Sequence, residues 1–249
     1  MTFRVGIGTF ADRVAGSVFD LPGCDVGAAS SEELHALLSL SIAEHTLWRA
    51  RHGEPVPSDG TPGLEIVEVI DAATSGAADG EFCFAGDLVP VTPDELERAV
   101  RHMGFARDDL RAITRDLPGT LLDWRPPASA MSRIDEWRPE VRTIREILQD
   151  IASAEFYYRT GLTDAPPPPD PDALMFDLDV QRERLVAALY AVPAAHRGRV
   201  FRPKRPWQNS PEHWTMRKVL RRVIGHERFH TKEIEQRLAW LLVGVPSFR

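Results

Sequence analysis

Cysteine is nearly missing from this chain of 249 residues. The two present, Cys24 and Cys83, have no CxxC spacing and are too few for a disulfide scaffold. Such sparing use of thiols fits a reducing cytoplasm, which is the expected location. No apolar run approaches the roughly 20 residues that cross a bilayer. The amino-terminal stretch MTFRVGIGTFADR has no basic segment ahead of a long apolar core, so neither a membrane span nor a secretory signal is expected. Positive charge is in deficit too. A net charge of −7 argues against nonspecific binding to nucleic acid, because phosphate backbones recruit excess Lys and Arg. The local cluster Arg197, Arg199, Arg202, Lys204 and Arg205 reads as a solvated loop. No internal repeat, Ser-His-Asp arrangement or phosphate-binding glycine loop stands out. Gly6-Ile7-Gly8 lacks the third glycine and the helix of a dinucleotide site.

What is present changes character near residue 90. Before it, short β-like runs flank one helix. Phe3 to Ile7 alternates apolar with small or polar residues, as a half-buried strand does, and Ala15 to Phe19 can pair with it as a hairpin. Leu21 to Cys24 reads as a turn. Ser30-Ser31-Glu32-Glu33 starts a helix that runs to about His52, where Gly53 and Pro55 stop it. Leu64 to Ile70 is a further strand and Phe82-Cys83-Phe84 a candidate fourth. After residue 90, Thr92-Pro93-Asp94-Glu95 makes a strong helix start, and that helix extends to about Arg115. Further helices are expected over about Pro139–Thr160, Ala173–Ala191 and Thr215–Val243, with a stiff proline-rich connection over 165–171. Four helices with one stiff crossover read as a four-helix bundle.

The sharpest chemical signal is His226-Glu227-Arg228-Phe229-His230. At 100° per residue, His230 falls within about 20° and His226 within about 60° of the centre of the apolar face set by Val223, Ile234 and Leu241. Both imidazoles therefore point into the bundle, one turn apart, a spacing that lets two nitrogens meet one ion. The alternative is a pair of hydrogen-bonded core histidines. His-Glu-x-x-His is also the zinc-protease signature, but no histidine follows His230. Glu233 and Glu235 lie too near on the same helix to close a third ligand position. A third ligand should come from the Pro139–Thr160 helix. Its apolar face centres on Ile144, Ile151 and Leu162. Glu155 lies within about 20° of that centre and Asp150 about 120° away, so periodicity alone prefers Glu155. Either carboxylate suits Zn, Ni, Mn or Fe; the alternatives are a solvent-exposed Asp150 and a Glu155 that partners an interior arginine. Arg145, Arg222 and Tyr158 are candidate neighbours by helical proximity. His35, His45 and His52, on the amino-terminal helix, read as surface or interface residues.

Residues 90–245 resemble the DinB/YfiT-like family of metal-binding four-helix bundles. The resemblance rests on the stretch from Trp137 to Glu155 and on the closing stretch from Trp214 to Ile234. It implies one ligand on the second helix and a His-x-x-x-His pair on the fourth. His226 and His230 match the pair, and the second-helix histidine falls at Asp150, so the implied set is His226, His230 and Asp150, with Glu155 as the alternative third ligand. The family includes thiol-cofactor S-transferases and isomerases, and members without known activity. A metal-dependent S-transferase or hydrolase acting on a small molecule, with a low-molecular-weight thiol as a second cofactor, is therefore one expectation. A non-catalytic binding or regulatory module with a structural or lost metal site is the other, and an HExxH metalloprotease a weaker third. Residues 1–85 resemble the small HicB-like αβ fold through Gly16 to Leu34, which carries a strand, a Leu-Pro-Gly-Cys turn and a Ser-Glu-Glu helix start. The expected fold is α+β: a HicB-like αβ domain followed by a DinB-like four-helix bundle. Related bundles imply a homodimer, and no nucleic-acid or membrane partner is expected.

Overall fold

A computed structural model describes residues 1–55, 63–75, 82–126, 141–162, 177–202 and 213–243. The amino-terminal part is a four-stranded sheet with one long helix. β1 (Thr2–Thr9) pairs antiparallel with β2 (Val14–Val18), and β2 pairs antiparallel with β3 (Asp25–Ala28). After α1 (Ser31–Arg51), β4 (Gly63–Asp71) returns to lie parallel to β1, with a register break between Val5 and Gly6. The strand order is β3-β2-β1-β4. α1 starts where the sequence says it should, with the Ser30 hydroxyl accepting from the Glu33 N–H at 3.2 Å.

The alternation in β1 has a physical cause on each face. Phe3, Val5 and Ile7 enter the core beneath α1, with Leu34, Leu38 and Ile42. Gly6 and Gly8 face the other way, and aromatic rings lie directly on them. A Cβ at Gly8 would stand 1.9 Å from the Phe82 ring, and one at Gly6 2.7 Å from Phe84. Phe82 and Phe84 therefore cover the sheet instead of joining it, which corrects the expected strand there. Their backbone groups bond to side chains: Phe84 N–H to Asp87 Oδ2 at 3.0 Å, and Phe82 C=O from Arg221 Nη2 at 2.6 Å. β3 carries no strand signal in the sequence, because a four-residue Asp-Val-Gly-Ala segment has no apolar alternation.

Among the described residues four long helices follow: α2 (Pro93–Thr114), α3 (Ile144–Leu162), α4 (Leu178–Ala191) and α5 (Met216–Val243). Thr92 and Glu95 cap α2 reciprocally, each side chain accepting from the other's backbone N–H. The expected helix starts at Pro139 and Ala173, the proline-rich connection, and Lys204 and Arg205 of the basic cluster lie outside the described residues. No helix among the described residues is long and apolar enough to cross a membrane. The bundle core gathers Leu96, Met103, Leu185, Leu189, Val219 and Val223 around Trp214.

The two parts are joined by α1. Trp48 of α1 packs within the bundle core, and its Nε1–H donates to Asp109 Oδ2 at 2.7 Å. Arg228 of α5 lies over the Trp48 ring, 4.2 Å from its centroid, and reaches His45 Nδ1 at 2.6 Å and the Gly23 carbonyl at 3.3 Å. His52 stacks on Phe105 and meets Asp109 at 3.1 Å, so His45 and His52 are interface residues, while His35 is exposed. Just past α1, Glu54 accepts from Arg49 Nε at 2.6 Å, from His102 Nε2 at 2.8 Å and from Arg101. Burial pushes the Glu54 carboxyl up, yet these donors outweigh it and hold the group at about 2. Burial also lowers the His102 pKa, so at neutral pH the ring is uncharged and donates Nε2–H to the carboxylate.

Because the folded Glu54 pKa lies below its ordinary 4.5, its stabilising effect is complete above that value and is lost as pH falls through about 2. Glu54→Gln is expected to lower stability by about 2 kcal/mol at pH 7. The deficit relative to wild type should shrink as pH falls from about 4.5 towards 2. Urea unfolding of both proteins across that range measures it; a deficit that stays constant with pH contradicts the assignment.

Candidate metal centre

α5 brings His226 and His230 to one face because residues four apart on a helix lie one turn above each other. α3 supplies Asp150 against them. His230 Nε2 and His226 Nε2 stand 3.1 Å apart, and Asp150 Oδ2 lies 3.2 Å from the first and 3.8 Å from the second. The two rings are nearly perpendicular. His230 is fully buried, His226 is half-buried, and the Asp150 side chain retains 31% exposure, so the cluster meets solvent on its Asp150 and His226 side. The structure thus brings together His226, His230 and Asp150, and no other grouping of this kind occurs among the described residues.

The surroundings orient these donors. His230 Nδ1–H donates to Glu233 Oε2 at 2.6 Å, which leaves the Nε2 lone pair facing His226 and Asp150. Glu233 is held in turn by Arg237 at 2.8 Å and Arg142 at 3.3 Å. Burial pushes its carboxyl up, but the bond from His230 and the two arginines hold it at about 2. Arg142 Nη1 also reaches Asp150 Oδ2 at 2.5 Å. Burial opposes ionisation of Asp150 as well. His230, His226 and Arg142 overcome it, and the group stays well below the usual carboxylate range. Sequence reasoning set Glu233 aside as a ligand and did not see it as the partner that fixes His230. Its position three residues on, one turn along the same face, was the available signal.

Two imidazole nitrogens and a carboxylate oxygen converging in this way require a positive charge among them, either a proton or a cation. Donor atoms held by one ion at about 2.1 Å stand about 3.0–3.4 Å apart. Two of the three separations here fall in that range, so the donor set suits a divalent metal. The Arg142 guanidinium shares the same carboxylate oxygen and competes with an ion for it.

Glu155 lies elsewhere. It is buried, as its place on the α3 apolar face demands, but its partners are arginines: Arg107 Nη2 at 2.7 Å and Arg182 Nη2 at 2.6 Å. Glu227 completes the group, accepting from Arg107 Nε and Arg182 Nη2, each at 2.5 Å. Burial raises the Glu155 pKa, with Glu227 adding to the effect against the pull of Arg182 and Arg107. Burial works against the Arg182 cation, but Glu227 and Glu155 raise its pKa above the ordinary range. Glu227 is thus turned away from the histidines and locked, which removes the general base that a His-Glu-x-x-His protease needs. Of the other expected neighbours, Arg145 forks onto Asp123 at the surface and Tyr158 packs on Trp214, 4.9 Å between ring centroids. Arg222 stands one turn before His226 on α5. Two cavities of about 290 and 480 Å³ are lined by other residues.

A family model described as the DinB superfamily matches residues 102–234, which takes in most of α2, all of α3 and α4, and α5 through the histidine pair. Among curated proteins, and among solved structures, nothing matches the chain.

Removing one member of a buried ion network leaves its partners uncompensated, at a cost of about 3–5 kcal/mol. Glu155→Ala is expected to destabilise the protein by that amount. Asp150→Ala should cost about 1 kcal/mol or less, since that side chain is partly exposed. Chemical denaturation of the two variants distinguishes them, and equal losses would show that Glu155 is not held as described.

Proposed function

The chain belongs to the DinB superfamily, and on that basis we propose that it binds one divalent metal through His226, His230 and Asp150 and uses the ion in small-molecule chemistry. The convergence of the two Nε2 atoms and Asp150 Oδ2 carries this reading. A bound ion there would supply Lewis acidity, lowering the pKa of a thiol or water placed beside it. The chain's own residues do the rest. Glu233 fixes the His230 tautomer, Arg142 holds Asp150 and Glu233 together, and the Arg107–Arg182 network sets the rotation of α5. Three protein donors leave coordination positions open on the solvent side, which favours reactivity over a purely structural site. A thiol-dependent S-transferase or a hydrolase fits such a centre, with a low-molecular-weight thiol as the second cofactor. Zn, Ni, Mn and Fe all accept this donor set. A non-catalytic module is the second reading, favoured by one observation: the cavities of about 290 and 480 Å³ both lie away from the cluster. For the amino-terminal unit, the βββαβ order supports a HicB-like identity used for interaction rather than catalysis.

The test is elemental analysis of protein purified without a histidine tag. Wild type should carry about one equivalent of metal per chain, reduced at least tenfold in affinity by His230→Ala and by Asp150→Ala. Glu155→Gln should retain it if folded. The cobalt-substituted protein should gain a sulfur-to-metal absorption band when a small thiol is added. An empty wild type after reconstitution sinks the metal reading, and bound cobalt without a thiol band leaves the structural one.

A further inference from the structure

The cavity of about 480 Å³ lies where the sheet unit meets the bundle, away from His226 and His230. Five guanidinium groups and three carboxylates line it, although the chain as a whole is acidic. The carboxylates are each taken. Asp20 is forked by Arg4, Asp87 by Arg221, and Glu95 by Arg217. Two arginines are left over. Arg49 spends only its Nε, on Glu54. Arg98, one turn before His102 on α2, has no hydrogen bond or ion pair with any described residue.

His102 adds a second unmet requirement. It is 1% exposed, and its Nε2–H is committed to Glu54. That assigns Nδ1 as an acceptor, and Nδ1 is buried without a partner. An unmet buried acceptor costs about 1–3 kcal/mol. A ligand hydroxyl would relieve it. Phe19, Pro22, Val91 and Leu220 supply apolar walls between these polar groups. The residues four apart on α2 put the free guanidinium and the free acceptor about 6 Å apart at their Cβ atoms.

We infer that this interdomain cleft is a second binding site, for a small organic anion with an apolar body and a hydroxyl group. Its carboxylate or phosphate pairs with Arg98 and with the free edge of Arg49, both suited to a forked oxyanion. Its hydroxyl donates to His102 Nδ1. Because the walls come from both units, a bound ligand stiffens their junction, and the site exists only in the docked chain.

4-Hydroxybenzoate is the probe, titrated calorimetrically into the full-length protein. It should bind saturably at one site per chain with a dissociation constant below about 5 mM. Benzoate, without the hydroxyl, and 4-hydroxybenzyl alcohol, without the charge, should each bind about tenfold more weakly. Arg98→Ala changes an exposed helix residue, so the variant should melt like wild type and lose about tenfold in affinity or more. His230→Ala, which disables the metal centre, should leave probe affinity unchanged, which separates this inference from the metal reading. Absence of saturable binding, equal affinity for the three compounds, or binding that survives Arg98→Ala and fails in His230→Ala would each overturn the proposal.

Discussion

Two arginines and two glutamates at the centre of the bundle set the rotation of its helices. Arg107 on α2, Glu155 on α3, Arg182 on α4 and Glu227 on α5 contribute one charge each, so all four long helices meet in one neutral network. None of these charges can leave without stranding another in a low-dielectric interior. Glu227 must therefore face Arg107 and Arg182. Its helical neighbours His226 and His230 are carried round to face α3, where Asp150 waits. The network is polar and directional, and an apolar core of equal volume would not dictate α5's rotation as tightly. Arg182 also donates to the Met103 carbonyl, tying the group to α2 backbone as well.

The same helix α5 serves the junction with the sheet unit from its opposite side. Arg228, next to Glu227, goes to His45, Gly23 and the Trp48 ring, and Lys232, one turn on, meets Glu44 at 2.5 Å. Arg221 grips Asp87 in the turn that follows the phenylalanine lid. A single helix thus presents its histidines to α3, a glutamate to the bundle centre and arginines to the other unit. A disturbance in one of these contacts bears on the rest through a rigid 28-residue element. Gly23, with φ +86°, and Gly225 of α5 allow the closest approach: a Cβ on Gly23 would stand 2.5 Å from Ile224.

Much of this was written locally. Helix caps at Ser30 and Thr92, the alternation in β1 and the inward direction of His226 and His230 follow from properties of a few neighbouring residues, and each appears as read. Glu155 is buried, as its place on the apolar face of α3 predicts. Periodicity reports an angle around a helix's own axis, and on that measure Glu155 belongs to the core. What it does not report is whether a metal or an interior arginine will neutralise it, or which arginines those are.

The sequence by itself determined an α+β chain whose last helix carries two inward histidines, because caps, glycines and a 3.6-residue period act over short distances. Only the tertiary structure decided that Asp150, at the margin of its helix's apolar face, joins the histidines while Glu155 goes to arginines. It also decided that Phe82 and Phe84 cover the sheet and that Glu227 braces the bundle. Those outcomes depend on how charges from distant segments compensate one another once water is excluded, and on which rings fit over Gly6 and Gly8. Neither is a property of any one segment.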